Sequence, residues 1–320
     1  MEKPFAVFTA EAFSLLRLSS LLCYYFYERK GALKRALPRK KNSFMREIGF
    51  KEISSAVSSA IGECCYHLGD YAKCNIKKAL ESEKDELARE VLRQIDDNVL
   101  AAEEDNTPIC QDTGIAVIFA EIGRDVHFTC DFYEAVNAGV KEAYDKFYLR
   151  KSVADPLTRI NTKDNTPAVV HITLNSGDKI RLKIAPKGAG SENMSKVAML
   201  NPSEGKQGIK KFVIDTVKAA GGRPCPPLYI GVGIGGDLEK CCILAKEALL
   251  RSDLSADPAL RELEREIKEE LNRTNIGPMG LGGETTCFDV FINTFPCHIA
   301  SLPVAVNIQC HANRHIEVEI

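Results

Sequence analysis

The chain has 320 residues, 45% of them hydrophobic, with a mean hydropathy of -0.14 and a formal net charge of -2. That length suits one large domain or two moderate ones, and near neutrality makes no general case for a nucleic-acid or acidic-membrane partner. Twelve cysteines without any Cys-x-x-Cys spacing argue against zinc ribbons and thioredoxin-like centres; they point to a reducing compartment, the cytoplasm, and to free thiols of which some bind metal.

Residues 1–44 carry nine Lys or Arg and three Glu, a net charge of +6 that leaves -8 for the remainder. Leu18 to Tyr27 is mostly apolar but too short to span a bilayer. Scarce acids with Arg, Ser and Leu faintly resemble a transit peptide. We read Met45 as the start of the working protein and 1–44 as a leader, either a targeting segment or a non-native start. The domain proper is then 45–320.

From Met45, the positions Ile48, Ile53, Val57, Ile61 and Cys65 fall at helical spacing. A second helix is predicted over Tyr71 to Ser82. A third runs from Lys84 to Ala102 with Leu87, Val91, Ile95 and Val99 on one face, stopped by Asp105-Asn106-Thr107-Pro108. The stretch Thr107 to Gly114 then sets a soft ligand (Cys110), an amide (Gln111), a carboxylate (Asp112) and a hydroxyl (Thr113) between a proline and a glycine. Pro108 restricts its own φ and Gly114 permits a sharp turn, so these side chains can converge. The plainer reading is a packed cysteine at a strand start, with Asp112 bonding its own turn. Ile115 to Ile122 is the apolar run that follows.

Phe132 to Tyr148 reads as an amphipathic helix that delivers Arg150, either an anion clamp or a solvated arginine at a helix end. Ala168–Leu174 and Lys179–Ile184 alternate around Asn175-Ser176-Gly177-Asp178 and predict a hairpin. The second strand runs into Lys187-Gly188-Ala189-Gly190-Ser191-Glu192-Asn193, where small residues suit either an anion nest or a flexible loop. A helix over Gly208 to Ala220 ends at Gly221-Gly222. Three prolines then surround Cys225, a stiff mount for a ligand or simply a bend.

Gly231-Val232-Gly233-Ile234-Gly235-Gly236 follows a predicted strand and precedes a helix, which matches the dinucleotide fingerprint, with Asp253 near the distance of a ribose-binding acid. The helix runs on into a second charged helix, Pro258 to Asn272, so no parallel strand closes the unit at that acid and NAD binding is disfavoured. Asn275 to Gly283 is a further Gly-rich loop without the Lys-Ser/Thr ending of a P-loop. Cys287–Ile292 and His298–Gln309 read as strands. The second ends in Cys310-His311-Ala312-Asn313-Arg314-His315, with no evident closing element after it.

Cys110, Cys225 and Cys310 share a context: each borders a strand or helix among Gly, Pro or polar neighbours. If they meet, three thiolates without a fourth form the ligand set of an iron–sulfur cube with one open iron, a Lewis acid for hydroxyl or carboxylate. Five stretches, 108–114, 187–193, 224–236, 275–286 and 302–315, resemble in order the alpha subunit of the iron–sulfur hydro-lyases, the class I fumarase and L(+)-tartrate dehydratase family. The resemblance implies a [4Fe-4S] cluster on Cys110, Cys225 and Cys310, and an acid–base residue at Asp112. It implies substrate contacts from Gln111, Arg150, His298 and one of Gly188 and Gly190. It implies reversible hydration of fumarate to malate, with tartrate or another hydroxy diacid as the alternative. A non-catalytic iron–sulfur or zinc-binding module is the reading from a different class. It also implies a separate beta subunit, because fused members carry a second domain after the last cysteine. The expected fold is mixed α/β (α+β): leading helices, then a largely antiparallel sheet with packing helices.

Overall fold

The computed structural model describes residues 45–320; the predicted leader lies outside them. Two four-stranded mixed sheets carry the fold. Strand β1 (Arg46–Ile48) precedes helices α1 (Phe50–Tyr66), α2 (Asp70–Ser82) and α3 (Glu86–Glu104). Helix α3 buries Ala88, Val91, Leu92, Ile95 and Val99, while Leu87, expected on that face, is exposed. The helical pattern read from Met45 begins only at Phe50, because Ile48 belongs to β1, which pairs in parallel with β3 (Val126–Phe128).

The first sheet contains β2 (Ile115–Gly123), β4 (Val169–Asn175), β5 (Ile180–Lys187) and β10 (Ile316–Glu319), in the order β10-β5-β2-β4. The predicted hairpin is split. β4 and β5 run in opposite directions, but β2 lies between them, parallel to β4 and antiparallel to β5. The cause is burial. β2 is apolar on both faces and satisfies its backbone best at a central position, whereas β4 is mostly exposed and tolerates an edge. The Ser176–Lys179 connection therefore spans two strand spacings and caps the end of β2: Gly123 N donates to Lys179 O (2.9 Å) and Arg124 N to Asn175 O (2.8 Å). Any Cβ on Gly123 would lie 2.4 Å from Gly177 O. Helices α1 and α4 (Phe132–Lys146) cover one face of this sheet through Ile53, Val57, Ile61, Val136, Val140 and Tyr144.

The second sheet contains β6 (Lys196–Leu200), β7 (Leu228–Gly235), β8 (Cys287–Phe295) and β9 (Leu302–Gln309), in the order β6-β9-β7-β8. Helices α6 (Gly205–Ala220) and α8 (Pro258–Asn272) pack on one face through Val213, Val217, Ile267 and Leu271. Helices α2, α3 and α7 (Leu238–Ala248) take the other, around Tyr229, Phe288 and Phe291. The unit expected to stay open does close: β8 lies parallel to β7 after the crossover through α7 and α8. Its glycines serve packing. Added Cβ atoms would lie 2.0 Å from Ala245 O at Gly231 and 1.9 Å from Cys241 O at Gly233, so these positions let α7 lie on the strand. The N-terminus of α7 is capped by its own Asp237, whose carboxylate accepts from Lys240 N (2.8 Å).

Two expectations at the C-terminal end change. The strand predicted from His298 begins at Leu302, and His298 lies in the preceding turn. The final residues do form a closing element, because β10 pairs with β5 and adds a fourth strand to the first sheet. Among the described residues, no helix is long and apolar enough to cross a membrane.

Candidate active site

The thiols of interest lie where β7 begins and β9 ends. These strands are antiparallel with Tyr229 opposite Gln309, which brings the residues before β7 beside those after β9. Cys225 sits at φ 57°, an uncommon conformation for a residue with a Cβ. It is held there from both sides. Its carbonyl accepts from His311 N (3.4 Å) and lies 3.1 Å from His311 Nδ1, and the next carbonyl, of Pro226, accepts from Met279 N (2.8 Å). The second Gly-rich loop thus backs Cys225.

Cys110 comes in from the other side. Its predecessor Ile109 donates N–H to Cys65 O (3.0 Å) and accepts from Asn98 Nδ2 (3.0 Å), which pins the turn between α1 and α3. Burial pushes the Cys225 thiol up, and the charges of Cys310 and Cys110 add to that. Burial also pushes Cys310 up, against the pull of Arg314 and Lys187, with Cys110 again raising it. The ends of β7 and β9 that carry Cys225 and Cys310 meet through the His311 N–H bond to Cys225 O. Among the described residues, no three His, Cys, Asp or Glu side chains gather closely enough to hold a single metal ion.

Asp112 lies beside them. Its Oδ1 accepts from Gly114 N (3.0 Å), the local turn bond that the plainer sequence reading expected, and its Oδ2 accepts from Ala189 N (2.9 Å). The second bond reaches the Lys187–Asn193 segment, which forms a single helical turn, α5 (Ala189–Glu192), and not a flexible loop. Gly188 makes that approach possible, since a Cβ there would lie 3.0 Å from Asp112 Oδ2; around Gly190 there is open space. A carboxylate offers about four lone-pair directions, so acceptor capacity remains beyond these two bonds.

Arg150 is tied to the same stretch through its backbone: Thr113 Oγ1 donates to Arg150 O (3.1 Å). Its guanidinium and the Gln111 amide are exposed. Two residues that no sequence signal singled out support them. The Tyr144 hydroxyl lies 2.8 Å from Gly114 O and 3.0 Å from Thr113 O. Buried Asn165 donates to Gly114 O (3.2 Å) and accepts from Ser152 N (2.6 Å) and Val153 N (3.1 Å).

Two cations complete the site. Lys187 is 6% exposed; its Nζ reaches Ser191 Oγ (2.8 Å), Ile308 O (2.9 Å) and Glu192 Oε2 (3.3 Å), and burial pushes its pKa down to about 8. Arg314 is 3% exposed and donates from Nη2 to Asp112 O (2.8 Å). Burial opposes its charge, and the neighbouring Cys65, Cys310, Cys110 and Cys64 more than offset that opposition.

His298 is not brought to this place. It lies before β9, Cys310 lies after it, and eight extended residues of about 3.3 Å each separate them by roughly 26 Å. Its Nδ1 accepts from Ala300 N (3.1 Å) in an exposed turn. Within its own chain, His298 and Cys310 thus stand at opposite ends of β9.

A family model described as Fumarate hydratase (Fumerase) matches residues 54–319, from within α1 to the end of β10. The chain belongs to the fumarate hydratase family. It is 41% identical over 272 residues to a Methanocaldococcus jannaschii protein provisionally named L(+)-tartrate dehydratase subunit alpha, covering 82% of this chain and 95% of that protein. It is 30% identical over 245 residues to the L(+)-tartrate dehydratase subunit alpha of Escherichia coli and to that of Shigella sonnei, covering 75% of this chain and 81% of each. As a family member, the chain is a hydro-lyase. Cys110, Asp112, Cys225, Cys310 and Arg314 all fall inside the matched span.

Proposed function

We propose that the chain is the cluster-bearing alpha subunit of a two-subunit hydro-lyase that adds water reversibly to a four-carbon unsaturated diacid, fumarate to malate. What supports this reading is that the Asp112 carboxylate accepts from Ala189 N and its carbonyl from buried Arg314, while the strand ends bearing Cys225 and Cys310 meet through His311. The donor set fits a [4Fe-4S] cluster on Cys110, Cys225 and Cys310. The ligands would be three soft, part-exposed thiols, the residue type that holds such clusters. When bound, the cluster supplies a Lewis-acidic iron for the substrate hydroxyl and one carboxylate.

The remaining work falls to the chain. Arg150 binds the far carboxylate through its fork of N–H donors, and Gln111 adds an amide donor. Asp112 takes the proton from the carbon next to the hydroxyl-bearing one, oriented by the bonds from Gly114 N and Ala189 N. Gly188 keeps that carboxylate against α5, and Gly190 borders the open side where substrate enters. Because the relatives are named alpha subunits, a separate beta subunit is proposed to complete the pocket; the free thiols suit a reducing compartment such as the cytoplasm. The names of those relatives favour a second reading for the same site, dehydration of L(+)-tartrate.

The test is anaerobic purification of the chain with its partner subunit, followed by assay of iron, acid-labile sulfide and turnover of fumarate, malate and L(+)-tartrate. About four iron and four sulfide per chain with turnover of either diacid pair supports the reading, and the faster pair names the substrate. Zinc or no metal in the active complex would overturn it. The isolated chain is expected to be inactive, and robust turnover without a partner would remove the two-subunit part.

A further inference from the structure

Arg314 stands out among the buried groups. Its guanidinium is almost wholly enclosed, yet only Nη2 has a partner, and Nε and Nη1 donate to nothing among the described residues. Nor is there a described carboxylate within ion-pairing distance of it, although the described residues hold many arginine–carboxylate pairs elsewhere. A buried cation with two unpaired donors costs several kcal/mol in general, and proteins keep one only where an anion or a set of acceptors meets it.

Its side chain lines a small cavity with Lys187, Gln309 and Asn313, and the groups whose charge acts on it or on which it acts include the Cys65, Cys310, Cys110 and Cys64 thiols, Tyr144 and His311. Tyr144 is already engaged with Gly114 O and Thr113 O, and Cys64 donates to Ile61 O (3.5 Å) within α1. Cys65 is wholly buried within α1, which leaves the part-exposed Cys110 and Cys310 as the thiols able to hold a group beside Arg314. Resting on the cluster reading above, we propose that Arg314 is the counter-cation of the thiolate-held group and the positioning residue that ties it to Asp112. Nε and Nη1 donate to the sulfur atoms of the cluster and its ligands, while Nη2 keeps hold of the Asp112 carbonyl.

The consequence is a physical link between metal centre and catalytic carboxylate. A cluster held by three thiolates is anionic, and a diacid bound beside it adds further negative charge. A fixed guanidinium lowers the cost of both, and its planar fork serves two directions at once, which an ammonium does not do. The same fork sets the carbonyl of the residue whose carboxylate handles the proton.

The experiment compares wild type, Arg314→Gln and Arg314→Lys as the full chain with its partner subunit, prepared anaerobically. It reads far-UV circular dichroism, iron and sulfide retained against a chelator, and the cluster midpoint potential by EPR-monitored titration. Arg314→Gln is expected to keep the fold, to retain iron and sulfide about 10- to 100-fold more weakly, and to show a more negative potential in the loaded fraction, since reduction then adds charge without a counter-cation. Arg314→Lys is expected to restore the potential but not turnover, because it cannot keep the Asp112 carbonyl as well. If Arg314→Gln yields no folded chain, Arg314→Met, neutral and of similar length, replaces it with the same expectations. A loaded wild type with unmoved retention and potential in the neutral variant would overturn the assignment of Arg314 alone. A wild type without iron and sulfide would overturn the assignment together with the cluster reading.

Discussion

Two Cys-His pairs bracket strand β9, Cys297-His298 before it and Cys310-His311 after it, and they have opposite fates. Cys297 and His298 are exposed in a turn whose polar groups satisfy one another: Cys297 Sγ donates to Ser301 O (3.2 Å), and Ala300 N donates to His298 Nδ1 (3.1 Å). Beside Cys310, His311 is packed against Cys225, and burial pushes its imidazole down, towards its neutral form. The same two residue types form a surface turn at one end and part of a candidate metal centre at the other. The difference lies in what the antiparallel partner delivers. At the far end β7 gives only Gly235 and its close contact with Phe295 O, whereas at the near end it gives the proline-braced Cys225.

The strongest way to break this comparison is to exchange serine for each cysteine in turn. Cys310→Ser is expected to leave almost no iron or sulfide on the chain and no turnover, while Cys297→Ser leaves both unchanged and stability within about 0.5 kcal/mol. Equal losses at the two ends would refute the assignment of the centre. Next in size is Asp112→Asn, which should keep iron and sulfide and lose turnover by about 10²- to 10⁴-fold. Its counterpart His298→Gln should stay within about twofold of wild type. A loss in His298→Gln as large as that in Asp112→Asn would mean that His298 of another copy completes the site.

A smaller effect separates the two glycines. In Gly188→Ala the new methyl meets Asp112 Oδ2, so kcat should fall about tenfold with metal retained. Gly190→Ala places its methyl in open space, so a change in KM there, with kcat kept, would locate the substrate. The smallest effect lies away from both ends. His171 on β4 stacks on Phe119, with ring centroids 4.8 Å apart, and burial, helped by Lys246, pushes its pKa below the usual 6.5. The folded state thus favours neutral His171. Its stabilising contribution is complete above pH 6.5 and is lost as the pH falls through that value towards the lower folded one. Chemical denaturation of wild type and His171→Phe between pH 7.5 and 5.5 should therefore diverge as the pH drops, with wild type losing more.

Much of this protein is readable without coordinates. The helices are local periodic patterns, and α2, α4 and α8 begin within a residue of where they were expected. Cys110, Asp112 and Cys225 announce themselves by stiff or turn-forming neighbours. Pairing was less legible. Ala168–Leu174 and Lys179–Ile184 look like a hairpin because the short polar connection is local, but a doubly buried strand some fifty residues earlier competes for the space between them and wins. Likewise, β8 closes the glycine-rich unit only after two helices, too far away for a fingerprint to anticipate.

What the sequence by itself determined is the set of elements and the chemistry on offer: three isolated thiols, a carboxylate beside one of them, and loops of small residues. What only the tertiary structure decided is which ends of the strands face each other. The antiparallel register of β7 and β9 unites Cys225 with Cys310 and sends His298 to the opposite rim. The tertiary fold also buried Arg314 against the Asp112 carbonyl, 202 positions away in the chain. The physical reason is range. Periodicity and turn preference act over a few residues. Register and the partner of a buried charge are set by burying apolar strands and satisfying their backbone across the whole chain.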